Sequence, residues 1–307
     1  MRIFRDLPAA ADTPIALTIG NFDGVHRGHQ AMLTRLTEAA DDLGLPAAVM
    51  TFDPHPREFF APASAPPRLS SLRAKLEAFA SHDIARIYVA RFGAAMAGLA
   101  PEQFIEHVLV ERLGVRWLLV GEDFRFGKAR AGTLATLRTA ARTFSVEAMR
   151  TVAVAGERAS STAVRAALAD GDMEHASALL GRPYRIAGRV AHGAKLGRSL
   201  GFPTANLPLR HAPPLSGIFA VRVHGLGGAP RLGAASLGVR PTVDAEATPL
   251  LEVYIFDFHE AIYGRRIAVD FMHKLRDEVR YPDLDALRQQ IGRDVERARA
   301  FFAGERS

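Results

Sequence analysis

The stretch Gly20-Asn21-Phe22-Asp23-Gly24-Val25-His26-Arg27-Gly28-His29 puts two imidazoles and three glycines into ten residues. His26 and His29 stand three apart, a spacing that sets both on one helix face. Gly24 and Gly28 allow the backbone to come close to a ligand. The unsatisfied N–H groups and positive dipole end of a helix starting here favour an anion, and two imidazoles can donate hydrogen bonds to it. A capped helix with two surface histidines explains a bare His-x-x-His equally well. A zinc site has less support, since the chain has no Cys and no third ligand nearby.

Three other stretches carry chemistry. Ser160-Ser161-Thr162-Ala163-Val164-Arg165 offers hydroxyls at a helix start and an arginine in its first turn, a phosphate site or a simple N-cap. Gly193, Gly197 and Gly201 precede Phe202-Pro203-Thr204-Ala205-Asn206. In extended chain Thr204 and Asn206 point to one side, and two side-chain oxygens suit Mg²⁺, which takes hard oxygen ligands and keeps several waters. A hairpin with polar residues toward solvent is the plainer account. Glu252 shares a strand face with Tyr254, Phe256 and Phe258. A carboxylate among aromatics is either a paired structural charge or a desolvated general base.

The elements that must position these residues fall into two patterns. Residues 14–155 alternate strands (15–19, 47–52, 84–92, 115–120, 146–154) with helices (71–80, 101–113, 133–144, and one after the histidine turn). Such alternation predicts a parallel sheet with helices on both faces. Its ligands bind beyond the carboxyl ends of the strands, where the histidine turn, the Asp53-Pro54-His55-Pro56 loop and 121–132 all emerge. Gly181-Arg182-Pro183-Tyr184 breaks the pattern, so the reading divides the chain into 1–182 and 183–307. Short strands at 185–190, 218–224, 233–237, 250–258 and 266–271 then suit a closed antiparallel barrel. An amphipathic helix over 283–302 follows, with Leu284, Leu287, Ile291, Val295, Ala298 and Phe302 on its apolar side.

Composition narrows the classes. The chain has 307 residues, 48% hydrophobic and 23% charged, as expected for a soluble two-domain protein. Its N-terminal residues lack a signal-peptide core, and no apolar run reaches the ~18 residues of a membrane span. A cytoplasmic protein without membrane association is expected. Residues 1–180 hold 20 basic and 20 acidic side chains and residues 181–307 hold 19 and 13, so the net +6 lies in the C-terminal part. That excess is scattered, with no basic tail or aromatic-basic repeat. It suits phosphorylated small molecules rather than nucleic acid. No Walker A loop occurs: Gly121 to Gly127-Lys128 is one residue too long, and Ala129 stands where Ser/Thr would be. No Gly-x-Gly-x-x-Gly follows the first strand.

The full histidine string resembles the His-x-Gly-His nucleotidyltransferase signature, in the form found in prokaryotic bifunctional riboflavin kinase/FAD synthetases. Thr51-Phe52-Asp53-Pro54-His55-Pro56, Gly121-Glu122-Asp123-Phe124-Arg125-Phe126-Gly127 and the serine–threonine stretch occur in that family's order. Residues 188–206, ending Pro203-Thr204-Ala205-Asn206, resemble its kinase signature, and Ile262-Tyr263-Gly264-Arg265 and Leu275-Arg276-Asp277-Glu278 follow. The resemblance implies an N-terminal Rossmann-like α/β domain that adenylylates FMN and a C-terminal β-barrel domain that phosphorylates riboflavin. It assigns Gly20, Phe22, Asp23, Gly24, His26, His29, Asp123, Arg158, Ser161, Thr162 and Arg165 to ATP in the first. It assigns Gly193, Lys195, Gly201, Pro203, Thr204, Asn206 and Arg276 to ATP and flavin in the second. Glu252 is then the catalytic base, beside catalytic His26 and His29, and Thr204 and Asn206 hold Mg²⁺. Substrates are ATP, riboflavin and FMN; self-association is compatible with this reading. Two positions depart from the family: Asp123 where many relatives carry Asn, and Ser236 where Asn is usual. Two alternatives stand beside it. One is a nucleotidyltransferase with another acceptor, which the kinase-like half argues against. The other is a catalytically dead flavin-binding regulator, which intact His26, His29, Thr204, Asn206 and Glu252 argue against.

Overall fold

The computed structural model describes residues 1–193, 196–239 and 249–304. The chain separates into two compact units. One holds residues 1–66 with 70–160, the other residues 67–69 with 161–307.

Six strands form the sheet of the first unit: β1 (Arg2–Phe4), β2 (Ile15–Ile19), β3 (Ala47–Phe52), β4 (Arg86–Ala90), β5 (Val115–Gly121) and β6 (Ser145–Met149). All pairings are parallel, in the order β1-β4-β3-β2-β5-β6. The four central strands, β2 to β5, are mostly buried apolar runs because both their faces are covered, whereas the edge strands β1 and β6 are partly exposed. Alternate residues feed two cores. Ile15, Leu17, Ile19, Met50, Leu118 and Val120 pack with Phe104, Ile105, Val108 and Leu109 on one face. Ala16, Val49, Ile87, Trp117 and Leu119 pack with Leu33, Leu36 and Phe79 on the other. Those covering helices are α1 (Arg27–Leu43), α2 (Leu72–Ala80) and α3 (101–112). The strand order reverses around β2, whose neighbours are β3 on one side and β5 on the other. That switch opens a crevice at the carboxyl ends of β2 and β5.

Several boundaries differ from the sequence reading. Strand β1 escapes it because three residues flanked by charge show no period. Helix α3 begins at Pro101 but runs in π form over Phe104–Arg112. The helix expected over 133–144 is Leu134–Ala140, capped by the Thr133 hydroxyl, which accepts from the Thr136 N–H at 3.2 Å. The strand expected over 146–154 is two: β6, then β7 (Ala153–Val154), which turns back through Ala155 and Gly156, both at positive φ, to β8 (Glu157–Arg158).

The second unit opens with helices α4 (Ser161–Asp170) and α5 (Met173–Leu180). Strands β9 (Tyr184–Arg189), β10 (Thr204–Pro208), β11 (Gly217–His224), β12 (Arg231–Val239), β13 (Pro249–Ile255) and β14 (Arg266–Arg276) follow. They pair antiparallel in the order β10-β13-β12-β11-β14-β9 and curl into a half-barrel. The edges meet at one bridge, where the Ala191 N–H donates to the Asn206 carbonyl at 2.8 Å. Among the described residues, that bridge is what brings the two edges of the curled sheet together. The last helix, α6 (Leu284–Gly304), covers the outer face through Ala298 and Phe302, against Ala220, Ala234 and Phe256. Leu284, assigned to its apolar side, is exposed.

Candidate active sites

The first site grows from the end of β2. His26 is the N-cap residue of α1 in extended conformation, and His29 lies in the first turn. Their rings stack with centroids 3.7 Å apart and planes 23° from parallel. Phe22, buried and at φ 50°, wedges beneath them, 5.0 Å from the His29 ring and edge-on to Phe79 at 5.3 Å. Gly28 sits at a close approach: a Cβ there would lie 3.2 Å from the Ala159 carbonyl and 3.2 Å from the His26 ring, so either would have to give way. Asp23 Oδ1 accepts from the Ser70 N–H at 3.0 Å and its hydroxyl at 3.1 Å, and the Gly24 N–H donates to that hydroxyl at 3.0 Å. Asp23 therefore braces the turn from behind.

His26, Gly28 and His29 line a cavity with Gly121 and Glu122 from the end of β5, and with Arg150, Arg158 and Ser160. The helix start thus faces the switch-point crevice. Burial, then the nearby His26 and Lys75, hold the His29 imidazole well below its ordinary proton affinity. Its Nδ1 is buried without a hydrogen-bond partner. A neutral imidazole with uncommitted polarity, at a helix N-terminus rimmed by two arginines, is arranged to receive phosphate. Arg158 donates to Asp123 Oδ2 at 2.5 Å, both side chains being more than half exposed, so those two residues meet each other at the rim. Gly20 and Phe22 shape the turn rather than the cavity wall. Ser161, Thr162 and Arg165 lie in the second unit, where Arg165 donates to the Pro67 carbonyl at 2.7 Å and the Ser161 carbonyl at 3.1 Å.

The second site is set by strand register. Asn206 on β10, Glu252 on β13 and Ser236 on β12 are directly paired neighbours, and Ile218 on β11 links Ser236 to Arg276 on β14. One row across five strands thus carries an amide, a carboxylate, a hydroxyl and a guanidinium. Glu252, Ser236, Tyr254, Thr204 and Arg276 line a pocket between the sheet's outer face and α6, walled by Phe202, Ile218, Leu287 and Ile291. Its apolar walls and polar edge suit a heteroaromatic ligand with a polar tail. The fork of Arg276 is taken by buried Asp294, at 2.9 and 2.6 Å, while Ser236 donates to Glu278 at 3.1 Å. The aromatic face expected for Glu252 is shorter than read. β13 ends at Ile255 and Asp257 turns the chain at φ 52°, so Phe258 leaves the strand and lines a neighbouring pocket with Pro203, Thr204 and Tyr263. Tyr263 there stacks on His192, centroids 4.0 Å apart.

A divalent cation fits beside this row. Asn206 is buried, and its Oδ1 has no hydrogen-bond partner. A Cβ on Gly193 would lie 2.6 Å from that oxygen, and one on Gly197 3.2 Å from the Thr204 hydroxyl, so glycines leave both oxygens open. Two neutral oxygens, with phosphate and water completing the shell, match Mg²⁺ chemistry. Among the described residues no cluster of three or more His, Cys, Asp or Glu side chains is placed to hold a metal. Gly201 turns the chain before Phe202 at φ 88°. Lys195 lies outside the described residues, as do Arg240-Pro241-Thr242.

Two features were not read from the sequence. Lys75, 7% exposed, donates to the Asn21 carbonyl inside the histidine turn at 3.2 Å. Phe52, Phe59, Phe60 and Phe92 form an edge-to-face cluster beyond the carboxyl ends of β3 and β4, with Phe60 66% exposed. The doublet Phe59-Phe60, between Asp53-Pro54-His55-Pro56 and the Pro-rich 61–67, was the available signal.

Fold and sites together match a two-part nucleotide-dependent transferase: a switch-point α/β unit whose histidine turn has anion-binding chemistry and a curled β unit with an apolar pocket edged by a carboxylate. The FAD synthetase family model matches residues 9–163 and the riboflavin kinase model residues 180–302. Bifunctional riboflavin kinase/FMN adenylyltransferases are similar over nearly the whole length. That of Haemophilus influenzae is 47% identical over 94% of both chains. That of Escherichia coli K12 is 46% identical over 98% of this chain and 97% of its own, and that of Pseudomonas fluorescens 48% over 93% and 92%. A solved structure described as a macrolide-efflux protein from Streptococcus pneumoniae superposes with a TM-score of 0.81 at 27% identity, covering 97% of this chain and 98% of its own. No helix among the described residues is long and apolar enough to cross a membrane. The chain belongs to the bifunctional riboflavin kinase/FMN adenylyltransferase family.

Proposed function

We infer that the chain carries out two ATP-dependent steps of flavin cofactor synthesis, with residues 183–307 phosphorylating riboflavin and residues 1–182 adenylylating the FMN produced. The observation that carries the kinase assignment is the register row Asn206–Glu252–Ser236 at the edge of an apolar pocket. Riboflavin lies in that pocket with its 5′-hydroxyl toward Glu252. The carboxylate takes the hydroxyl proton as the oxygen attacks the γ-phosphorus of ATP, and ADP leaves. Thr204 and Asn206 hold Mg²⁺, which when bound neutralises charge on the phosphates. Gly193 and Gly201 let the loop approach ATP, with Pro203 beside it, Arg276 fixes the pocket wall, and the family resemblance assigns Lys195 to ATP binding.

In the adenylyl step no protein nucleophile is needed. A phosphate oxygen of FMN attacks the α-phosphorus of ATP, and pyrophosphate leaves. His26 and His29 orient the phosphates and offset charge gathered in transfer, so catalysis is positioning plus electrostatics. Gly20, Phe22, Asp23 and Gly24 hold the turn, while Arg158 and Asp123 stand at its rim. The exposed Phe59 and Phe60 offer ring faces to an isoalloxazine beyond β3 and β4. Neither nucleic acid nor membrane takes part, and the chemistry suits the cytoplasm, where ATP is supplied.

Chromatography of products from riboflavin, ATP and Mg²⁺ tests the reading: FMN and FAD are both expected, and the absence of either removes one half. Glu252→Gln sharpens it, since Gln keeps size and hydrogen bonding but cannot accept the proton. Riboflavin phosphorylation should fall roughly 10²–10⁴-fold, with riboflavin binding little changed and added FMN still converted to FAD. Near-normal FMN production would make Glu252 a structural carboxylate.

A further inference from the structure

Lys75 lies on α2, remote in sequence from the histidine turn, and is nearly inaccessible to solvent. Burying an ammonium is costly unless its charge and donors are used. Its Nζ donates to the Asn21 carbonyl at 3.2 Å and to the Thr51 hydroxyl at 3.4 Å, and that hydroxyl donates in turn to the Asn21 carbonyl at 3.2 Å. Asn21 leaves β2 and Thr51 lies near the end of β3. One turn further along α2, Phe79 packs edge-on against Phe22, which carries the His29 ring. Helix α2 therefore grips the turn twice, by an ammonium on its backbone and a ring on its side chain.

We propose that Lys75 is a positioning residue for adenylyl transfer: its ammonium clamps the exits of β2 and β3 together and sets a fixed positive charge behind the His26–His29 pair. The proposal rests on reading the first unit as the adenylyltransferase. The clamp fixes where Phe22, and so the imidazoles, sit. The charge has a second effect. With burial and His26, it keeps His29 neutral in the free enzyme, and an entering triphosphate reverses the local field. The other charged groups around His29 are Asp23 behind the turn and Glu122, Arg150 and Arg158 across the cavity. None of these is altered by changing Lys75.

The test uses the full chain with Lys75→Met, Lys75→Arg and Thr51→Val, following the FMN-to-FAD and riboflavin-to-FMN reactions separately. Misplacing the turn should slow FAD formation in Lys75→Met by about tenfold to a hundredfold, with riboflavin phosphorylation unchanged. Removing a like charge raises the proton affinity of His29, so the acid limb of kcat/KM for FAD formation should move to higher pH in Lys75→Met. In Lys75→Arg, which retains the charge, the limb should stay in place and part of the rate return. Thr51→Val removes one anchor and keeps the ammonium, so FAD formation should slow with the limb unmoved. A Lys75→Met enzyme at wild-type rate, or slowed with its limb unmoved, overturns the proposal. Should Lys75→Met fail to fold, Thr51→Val at wild-type rate overturns it alone. Wild-type enzyme that makes FMN but no FAD would instead overturn the underlying reading, and the proposal with it.

Discussion

At the scale of single residues, His29 shows how burial serves function. An imidazole held neutral by its surroundings offers phosphate a donor without a standing counter-ion to displace. Replacing His29 by Ala should cost FAD formation ~10²–10³-fold, the usual effect of losing one positioned donor. FMN formation from riboflavin should be untouched, because Glu252 and its pocket lie in the other unit. The same residue gives a stability prediction. Its folded proton affinity is depressed while the unfolded chain titrates near pH ~6.5. The unfolded state therefore binds more protons as pH falls, so the contribution is intact above ~6.5 and is lost as pH drops toward the folded value. Denaturant unfolding of the first unit should weaken between pH 7 and 5, and His29→Phe should flatten that loss. An identical slope in both proteins would remove His29 from the account.

At the scale of elements, glycine placement decides how closely loops approach the reacting groups. A Cβ on Gly193 would lie 2.5 Å from the Asn206 side chain, nearer than real contacts allow, and Asn206 is too short to swing aside. Gly193→Ala should displace Asn206 and lower riboflavin phosphorylation at least about tenfold, leaving FMN-to-FAD conversion intact. A normal kinase rate would show that the amide is not needed where it stands. The glycine-rich stretch was legible in sequence, and so were the strand–turn–helix around His26 and the alternation of Thr204 with Asn206. Each is a local pattern whose period or turn chemistry is written in consecutive residues. Lys75 was hidden because its partner Asn21 is distant in sequence and meets it only through the parallel pairing of β2 with β3. The row from Asn206 to Arg276 was hidden for the same reason, since register across five strands is a tertiary quantity. Phe258 was misplaced because apolar alternation runs on past Asp257, whose positive φ ends the strand.

At the scale of the whole molecule, the division of the chain makes a claim about where the kinase begins. The Gly181-Arg182-Pro183 break reads as the boundary in sequence, yet residues from Ser161 onward cluster with the second unit. Helix α5 buries Met173, Ala176, Leu179 and Leu180, and α5 packs on β9 and β14. Gly181, at φ 72°, caps it and hands the chain directly into β9. A fragment of residues 183–307 keeps the row from Asn206 to Arg276 but strips that apolar helix from the barrel. A fragment of residues 161–307 keeps both. Burying a Leu or Met side chain contributes about 1.5–3 kcal/mol, so Met173, Leu179 and Leu180 together supply a large share of a small domain's stability margin without exhausting it. Both fragments should make FMN from riboflavin and ATP, and neither should make FAD, because the histidine turn is absent. The longer fragment should unfold at a clearly higher temperature, and the shorter should bind a hydrophobic dye through the uncovered face of β9 and β14. Equal unfolding temperatures would mean that α5 contributes nothing to the barrel. FMN formation by neither fragment, with both folded, would mean that the kinase site requires residues from the first unit.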